Sequence, residues 1–154
     1  MPIIRLETLI NAPTARCFDL SLSVEVHTQS TSRTKERAVG GTTGGLLGLG
    51  NSVTWEAVHF GIKQHLTSRI TKYDRPSMFV DEMVRGAFKS FSHKHEFRPI
   101  GEQTLMLDIF DYKSPLGPLG VLADKLFLER YMRQLLAERA AYIKQVAEQH
   151  NSEK

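Results

Sequence analysis

The sequence predicts an α+β fold: a seven-stranded, curved antiparallel sheet around one long C-terminal helix, with two short helices after the first strand. Three observations predict its strands, its long helix and its short helices. From Asn51 to Lys113 short alternating segments follow one another with only brief turns between them, which favours an antiparallel meander over parallel crossovers. Beyond Pro118 apolar residues recur at helical spacing through about residue 148. Between residues 11 and 30 the strand pattern is broken by Asn11-Ala12-Pro13 and replaced by two short, weakly amphipathic stretches.

In chain order, residues 2–10 read as a strand with Ile4, Leu6, Thr8 and Ile10 on one face and Arg5 and Glu7 on the other. Pro13 suits the first turn of a helix, where its missing N–H costs nothing, and the helix runs from Thr14 to Leu20 with Cys17 and Phe18 inward. Ser23 is a good N-cap for a second helix through Val24, Val26 and His27. Six of the eleven glycines fall in residues 40–50, GGTTGGLLGLG. No Lys-Ser/Thr pair follows, and a strand rather than a helix comes next, so neither phosphate-binding glycine motif is present. The stretch is either a plain connection or a flap whose leucines cover a cavity. Strands then follow at 53–59, 62–74, 78–84, 89–97 and 103–112; the seventh strand has no residue range in this reading. Pro115 and Pro118 punctuate the entry to the last helix, whose stripe is Leu128, Met132, Leu135, Leu136, Ile143 and Val146. At ~1.5 Å per residue such a helix crosses a whole sheet.

The 154 residues suit one domain, 1–149, with a tail at 150–154 expected to fray. Twenty Lys and Arg against seventeen Asp and Glu leave a formal charge of +3, with basic residues scattered rather than gathered on one face; a nucleic-acid partner is not expected. The single cysteine, Cys17, excludes an intramolecular disulfide and a cysteine metal site. The N-terminal apolar run is interrupted by Arg5 and Glu7, so neither a signal peptide nor membrane insertion is expected, and the cytoplasm is the expected location.

The order of elements, with Ala12-Pro13 and Phe18, His27, Ser30, Val53-Thr54-Trp55-Glu56-Ala57, His59-Phe60-Gly61, Asp81, Gly86, Phe88, His93-x-His95-x-Phe97, Thr104-x-Met106-x-Asp108, Tyr112 and Pro115-Leu116-Gly117, resembles the helix-grip START/SRPBCC superfamily. Within it the likeness is to the bacterial ligand-binding SRPBCC branch. The superfamily includes birch-pollen-allergen-like and polyketide-cyclase-like proteins. The resemblance implies the seventh strand, the curvature of the sheet around the C-terminal helix, and a cavity between the two for a small hydrophobic or amphipathic molecule, with cyclase or aromatase activity in some members.

On residues 89–97, Ser92, Lys94, Glu96 and Arg98 must face water, so Phe91, His93, His95 and Phe97 face inward. On 103–112 alternation alone would bury Leu105, Leu107 and Ile109; the resemblance instead places Met106 and Asp108 inside. Phe79, Asp81 and Met83 share a face of their strand, as do Trp55, Ala57 and His59 of theirs, and Met132 stands mid-helix to roof the cavity. The expected binding residues are therefore Trp55, His59, Phe79, Asp81, Met83, Phe91, His93, His95, Phe97, Met106, Asp108 and Met132.

A buried carboxylate needs a partner, and histidine is a natural one. The Asp–His set could tie strands together, anchor a ligand, or act as an acid/base site on His93 and His95. No cofactor or metal is assigned, because two histidines at i, i+2 lack an assured third ligand. Binding without catalysis is the favoured reading. The alternatives are a cyclase, aromatase or dehydratase using a cavity histidine, and an interaction module without a ligand. In the last, Leu105, Leu107 and Ile109 would face a partner or a homodimer copy.

Overall fold

The computed structural model describes residues 2–31 and 34–152, with side chains through Gln149. Its strands are β1 (Ile3–Ile10), β2 (Arg37–Gly41), β3 (Ser52–His59), β4 (Ile62–Asp74), β5 (Met78–Arg85), β6 (Ser90–Ile100) and β7 (Gln103–Lys113). They form one curved antiparallel sheet in the order β1-β7-β6-β5-β4-β3-β2. The meander β2 to β7 pairs neighbours in sequence, and β1 closes the sheet by pairing with β7, Ile4 opposite Phe110 and Ile10 opposite Thr104. The strand that sequence reading left unplaced is β2. It is short and carries Gly40 and Gly41 at its end, so alternation gives little sign of it.

Helices α1 (Thr14–Leu22) and α2 (Val24–Ser30) follow β1. Ser23 caps α2 as expected, its hydroxyl accepting from the Val26 N–H at 3.2 Å. The glycine-rich stretch joins β2 to β3 and is tied to α2: the Val24 N–H donates to the Gly45 carbonyl, the Leu47 N–H to the Leu22 carbonyl, and the Gly45 N–H to the Glu25 carboxylate. Leu47 packs inward, whereas Leu46 and Leu49 are exposed.

The C-terminal segment comprises α3 (Pro118–Ala123), a π-helical turn (Asp124–Leu128) and α4 (Glu129–Ser152), where sequence periodicity predicts one uniform helix. The backbone is helical through Ser152; the rest of the expected frayed tail, Glu153 and Lys154, lies outside the described residues. Arg16 of α1 donates to the carbonyls of Ala147 and Val146, and Lys144 donates to the Leu9 carbonyl, which fixes α4 against α1 and β1. One core cluster (Ile10, Phe18, Phe79, Phe97, Met106, Ile143) lies under α1, and a second (Ile4, Phe91, Phe110, Tyr112, Leu136) lies nearer the other end of the sheet.

On β7 the inward face is Thr104, Met106, Asp108, Phe110 and Tyr112, all buried, as the resemblance implies. Leu105, Leu107 and Ile109 are half-exposed on the convex side. Charge decides this: placing the leucines inward would expose Phe110 and Tyr112 and aim Lys94 and Glu96 of β6 at the core.

Candidate functional site

Between the sheet and α4 the described residues surround a cavity of about 350 Å³ with mainly apolar walls. Antiparallel pairing places its polar floor. Phe79 pairs with His95, Asp81 with His93 and His95 with Asp108, so three neighbouring strands bring their ionisable side chains to one patch. His93 Nε2 lies 2.9 Å from Asp108 Oδ1, and His95 Nε2 lies 3.0 Å from Asp81 Oδ2. The two imidazoles stack with centroids 3.8 Å apart, and Phe79 stacks on the other side of His95 at 4.1 Å. His95 Nδ1 approaches Asp108 Oδ1 to 3.3 Å, so each of its nitrogens faces a carboxylate.

These contacts shift the pKa values of the adjacent rings in opposite directions. Burial pulls His95 down, but the carboxylates of Asp108 and Asp81 outweigh it, and its pKa is raised. His93 is held below the ordinary histidine value by burial and then by the positive charge of His95. Burial pushes Asp108 up, yet the bonds from His93 and His95 prevail and hold it far below the carboxylate range; Asp81 is lowered through His95 in the same way. Arg139 of α4 is buried beside them, its guanidinium 4.0 Å from Asp108 Oδ1 and donating to the Ser21 carbonyl at 3.0 Å. Arg139, together with His95 whenever it carries a proton, offsets the two aspartates within this buried cluster.

A second polar group lies along the wall. His27 Nε2 is 2.7 Å from Glu36 Oε1, and the His27 ring stacks on Trp55 with centroids 4.0 Å apart. Burial raises the Glu36 carboxyl, but His27 outweighs it and the pKa is lowered. His59 Nδ1 is 2.8 Å from the Tyr131 hydroxyl, and burial lowers the His59 pKa.

Of the residues expected at the site, Trp55, His59, Phe79, Asp81, Phe91, His93, His95 and Met132 line the cavity. Met83, Phe97, Met106 and Asp108 are not among the lining residues. Phe97 and Met106 are core under α1, and Met83 packs against the second cluster because the β4–β5 register shifts near it. Asp108 sits behind the histidines and acts through them. Sequence reasoning missed Glu36, Arg139 and Tyr131. Arg139 sits among charged residues of an amphipathic helix and reads as solvent-facing; its one sequence signal is its place three residues after Leu136 and four before Ile143, on the apolar stripe. Glu36 lies in a charged run, Lys35-Glu36-Arg37, that gives no sign of burial. Cys17 is a buried core thiol whose pKa is raised by burial.

Asp81, His93 and His95 each offer one ligand atom, all within 4.8 Å of one another. Both histidines are engaged by carboxylates through Nε2, and the Arg139 guanidinium adds positive charge beside them.

Among solved structures the chain is similar to TTHA0849 of Thermus thermophilus, with 22% identity, a TM-score of 0.73, and 92% of this chain and 97% of that chain covered. It is similar to norcoclaurine synthase of Thalictrum, solved as a point mutant with a transition-state analogue: 14% identity, TM-score 0.72, 97% and 96% covered. A START superfamily protein of Mycobacterium smegmatis matches at 14% identity and TM-score 0.70, with 96% and 97% covered. The chain has the helix-grip fold of the START/SRPBCC superfamily. No protein-family model and no curated protein matches it. At these identities the helix-grip likeness fixes architecture, while one fold hosts many functions. Among the described residues no helix is long and apolar enough to cross a membrane.

Proposed function

We propose that this protein binds a small hydrophobic or amphipathic molecule in the cavity between the sheet and α4. The observation that carries the reading is the cavity itself. Its volume of about 350 Å³ lies in the roughly 300–1,000 Å³ range of ligand pockets, and its walls are largely apolar. Trp55, Phe79, Phe91 and Met132 supply apolar contact, and Asp81, His93 and Arg139 are placed to orient a polar end. The reading assigns the protein to the cytoplasm.

Trp55 is the single tryptophan and lines the cavity, so its emission reports occupancy. We expect protein stripped of apolar contents to bind the fluorophore ANS near one to one, with energy transfer from Trp55. Ala57→Phe, which places a ring in the cavity, should weaken this at least tenfold with the circular dichroism unchanged. Absence of any bound molecule in native mass spectra, together with ANS binding indifferent to Ala57→Phe, would sink the reading.

One observation favours a second reading, in which the bound molecule is turned over. His93 and His95 are adjacent and pushed in opposite directions, so a neutral base and a cationic acid stand side by side at the cavity wall. On that reading His95→Gln abolishes product formation while ANS still binds. Turnover that survives in both His93→Gln and His95→Gln excludes these rings from the chemistry.

A further inference from the structure

One end of the molecule carries apolar side chains where water should be. Antiparallel order brings the β3–β4 turn, the β5–β6 connection and the C-terminal end of β7 to this same end. Phe60 and Ile62 project from the β3–β4 turn, and Leu116, Leu119, Leu126 and Phe127 from the segment that follows β7, each exposed. Leu116 is 76% exposed and Leu119 and Leu126 are 68% exposed, so these are not the rims of core residues. The two stretches form one surface, since the Phe60 ring packs against Phe127 and Tyr131 at 5.6 and 4.5 Å.

Two features show that the exposure is built in. The β3–β4 hairpin has a two-residue turn in which Phe60 and Gly61 both have positive φ, 54° and 74°. That geometry favours Asn-Gly, and a bulky aromatic in the left-handed region is held there at a cost. Leu116 is also left-handed, at φ 70°. Both left-handed apolar residues point their side chains into solvent, and such strain gathers at functional surfaces. The segment after β7 is also anchored in one orientation. Tyr112 and Ser114 donate to the buried Asp124 carboxylate, and Gly120 packs so closely that an added Cβ would meet the Pro115 carbonyl oxygen at 2.0 Å. With Asp124 and Gly120 turned inward, Leu119 and Leu126 must face out.

Charge identifies the partner. Lys63, which lies 3.9 Å from Glu56, and Lys89, Lys113, Lys125 and Arg130 are exposed at this end, whereas Asp124 is buried and Asp111 and Glu129 are half-buried. Apolar side chains ringed by cations match an interface of apolar chains beneath anionic headgroups. We propose that this end of the protein docks on the surface of an anionic lipid bilayer, with Phe60, Leu119 and Leu126 entering the headgroup layer. Phe60, Pro115 and Leu128 also line the cavity, so docking would place the cavity mouth against the lipid. The docking itself does not depend on the cavity being filled.

The full chain is sedimented with vesicles of phosphatidylcholine alone or mixed with phosphatidylglycerol, at low and high salt. The expected result is binding to the mixed vesicles at low salt that weakens as salt rises. Leu119→Ser/Leu126→Ser should weaken it at least tenfold. In Lys125→Glu/Arg130→Glu the loss should be roughly fivefold for each charge removed, from about 1 kcal/mol per cation near the surface. Circular dichroism establishes that the variants fold, and ANS binding reads the cavity separately. The proposal is overturned by a folded protein that leaves mixed vesicles unbound at low salt, or by binding that neither double variant changes. It is equally overturned if light scattering finds a dimer that Leu119→Ser/Leu126→Ser dissolves while vesicles stay unbound, which would assign the surface to a second copy.

Discussion

The cavity floor and the docking end both reverse the usual rule of apolar inside and charged outside, and they do so in opposite ways. At the floor Asp81, His93, His95, Asp108 and Arg139 are withdrawn from water wholly or in large part. At the docking end leucines and phenylalanines are held out in it. The floor tolerates burial because each charge faces an opposite one at hydrogen-bond or near-contact distance. At the docking end compensation is partial: Phe60 packs on Phe127 and Tyr131, but the leucines lie on turns and anchored helix faces that cannot fold them in. Charges paired within the chain belong to the folded state, even though His95 Nδ1 and Asp108 Oδ2 accept or donate no hydrogen bond, whereas an apolar surface left in water points to something outside the chain.

The sharpest way to break this contrast is to remove one charge from the floor and two apolar groups from the docking end. Asp108→Ala leaves His93, protonated His95 and Arg139 without their shared carboxylate, and should cost ~3–5 kcal/mol in urea denaturation. Leu119→Ser/Leu126→Ser takes away exposed groups and should change stability by less than about 1 kcal/mol. Comparable losses in the two variants would mean that the floor is no more integral to the fold than the docking end.

Titration tests the floor more gently, because it neutralises groups in place. Asp81 and Asp108 are held below the ordinary carboxylate value, so stability present above about pH 4 is lost as pH falls further. His93 and His59 are held below 6.5, so the unfolded chain takes up protons that the folded one refuses, and stability also declines as pH drops below about 6.5. His95 is raised above 6.5; its contribution is full below that pH and is lost as pH rises through its folded value. Denaturation midpoints from pH 4 to 9 should therefore peak near neutrality. In His95→Gln the alkaline decline should shrink. An alkaline decline of unchanged size in that variant would remove His95 as its source.

Strands made the floor legible. With a side-chain period of two, Lys94 and Glu96 oblige His93 and His95 to face inward, and this holds whatever the ligand. The same alternation misled on β7, where Leu105, Leu107 and Ile109 outrank Asp108 in hydrophobicity; only the neighbouring strand's charges decide the face. Register remained beyond the sequence, so lining residues were not separable from Phe97, Met106 and Met83, which share a face with them but pack elsewhere. Helices were less legible still. Arg139 occupies a charged position on a helix that must be charged somewhere, and its burial follows from the height at which α4 crosses the floor. The docking end was invisible because SPLGPLG read only as the entry to the last helix, and Leu126 and Phe127 fell outside its apolar stripe. Their exposure follows from Asp124 and Gly120 taking the inward positions of the same turns.

The smallest effect bears on why the docking end is strained. Phe60 occupies the first left-handed position of a two-residue turn, where asparagine is preferred. Phe60→Asn relieves that strain but also gives up the ring contacts with Phe127 and Tyr131. Because Phe60 is 60% exposed, the lost packing is partial, and the variant should be more stable than the parent by about 0.5–1 kcal/mol in urea denaturation. A residue retained against its own turn should then reveal its use in the vesicle experiment, where the stabilised variant binds less well. If Phe60→Asn destabilises the fold and leaves vesicle binding intact, Phe60 serves the packing of the last helix instead, and the inversion at this end is smaller than its exposed leucines suggest.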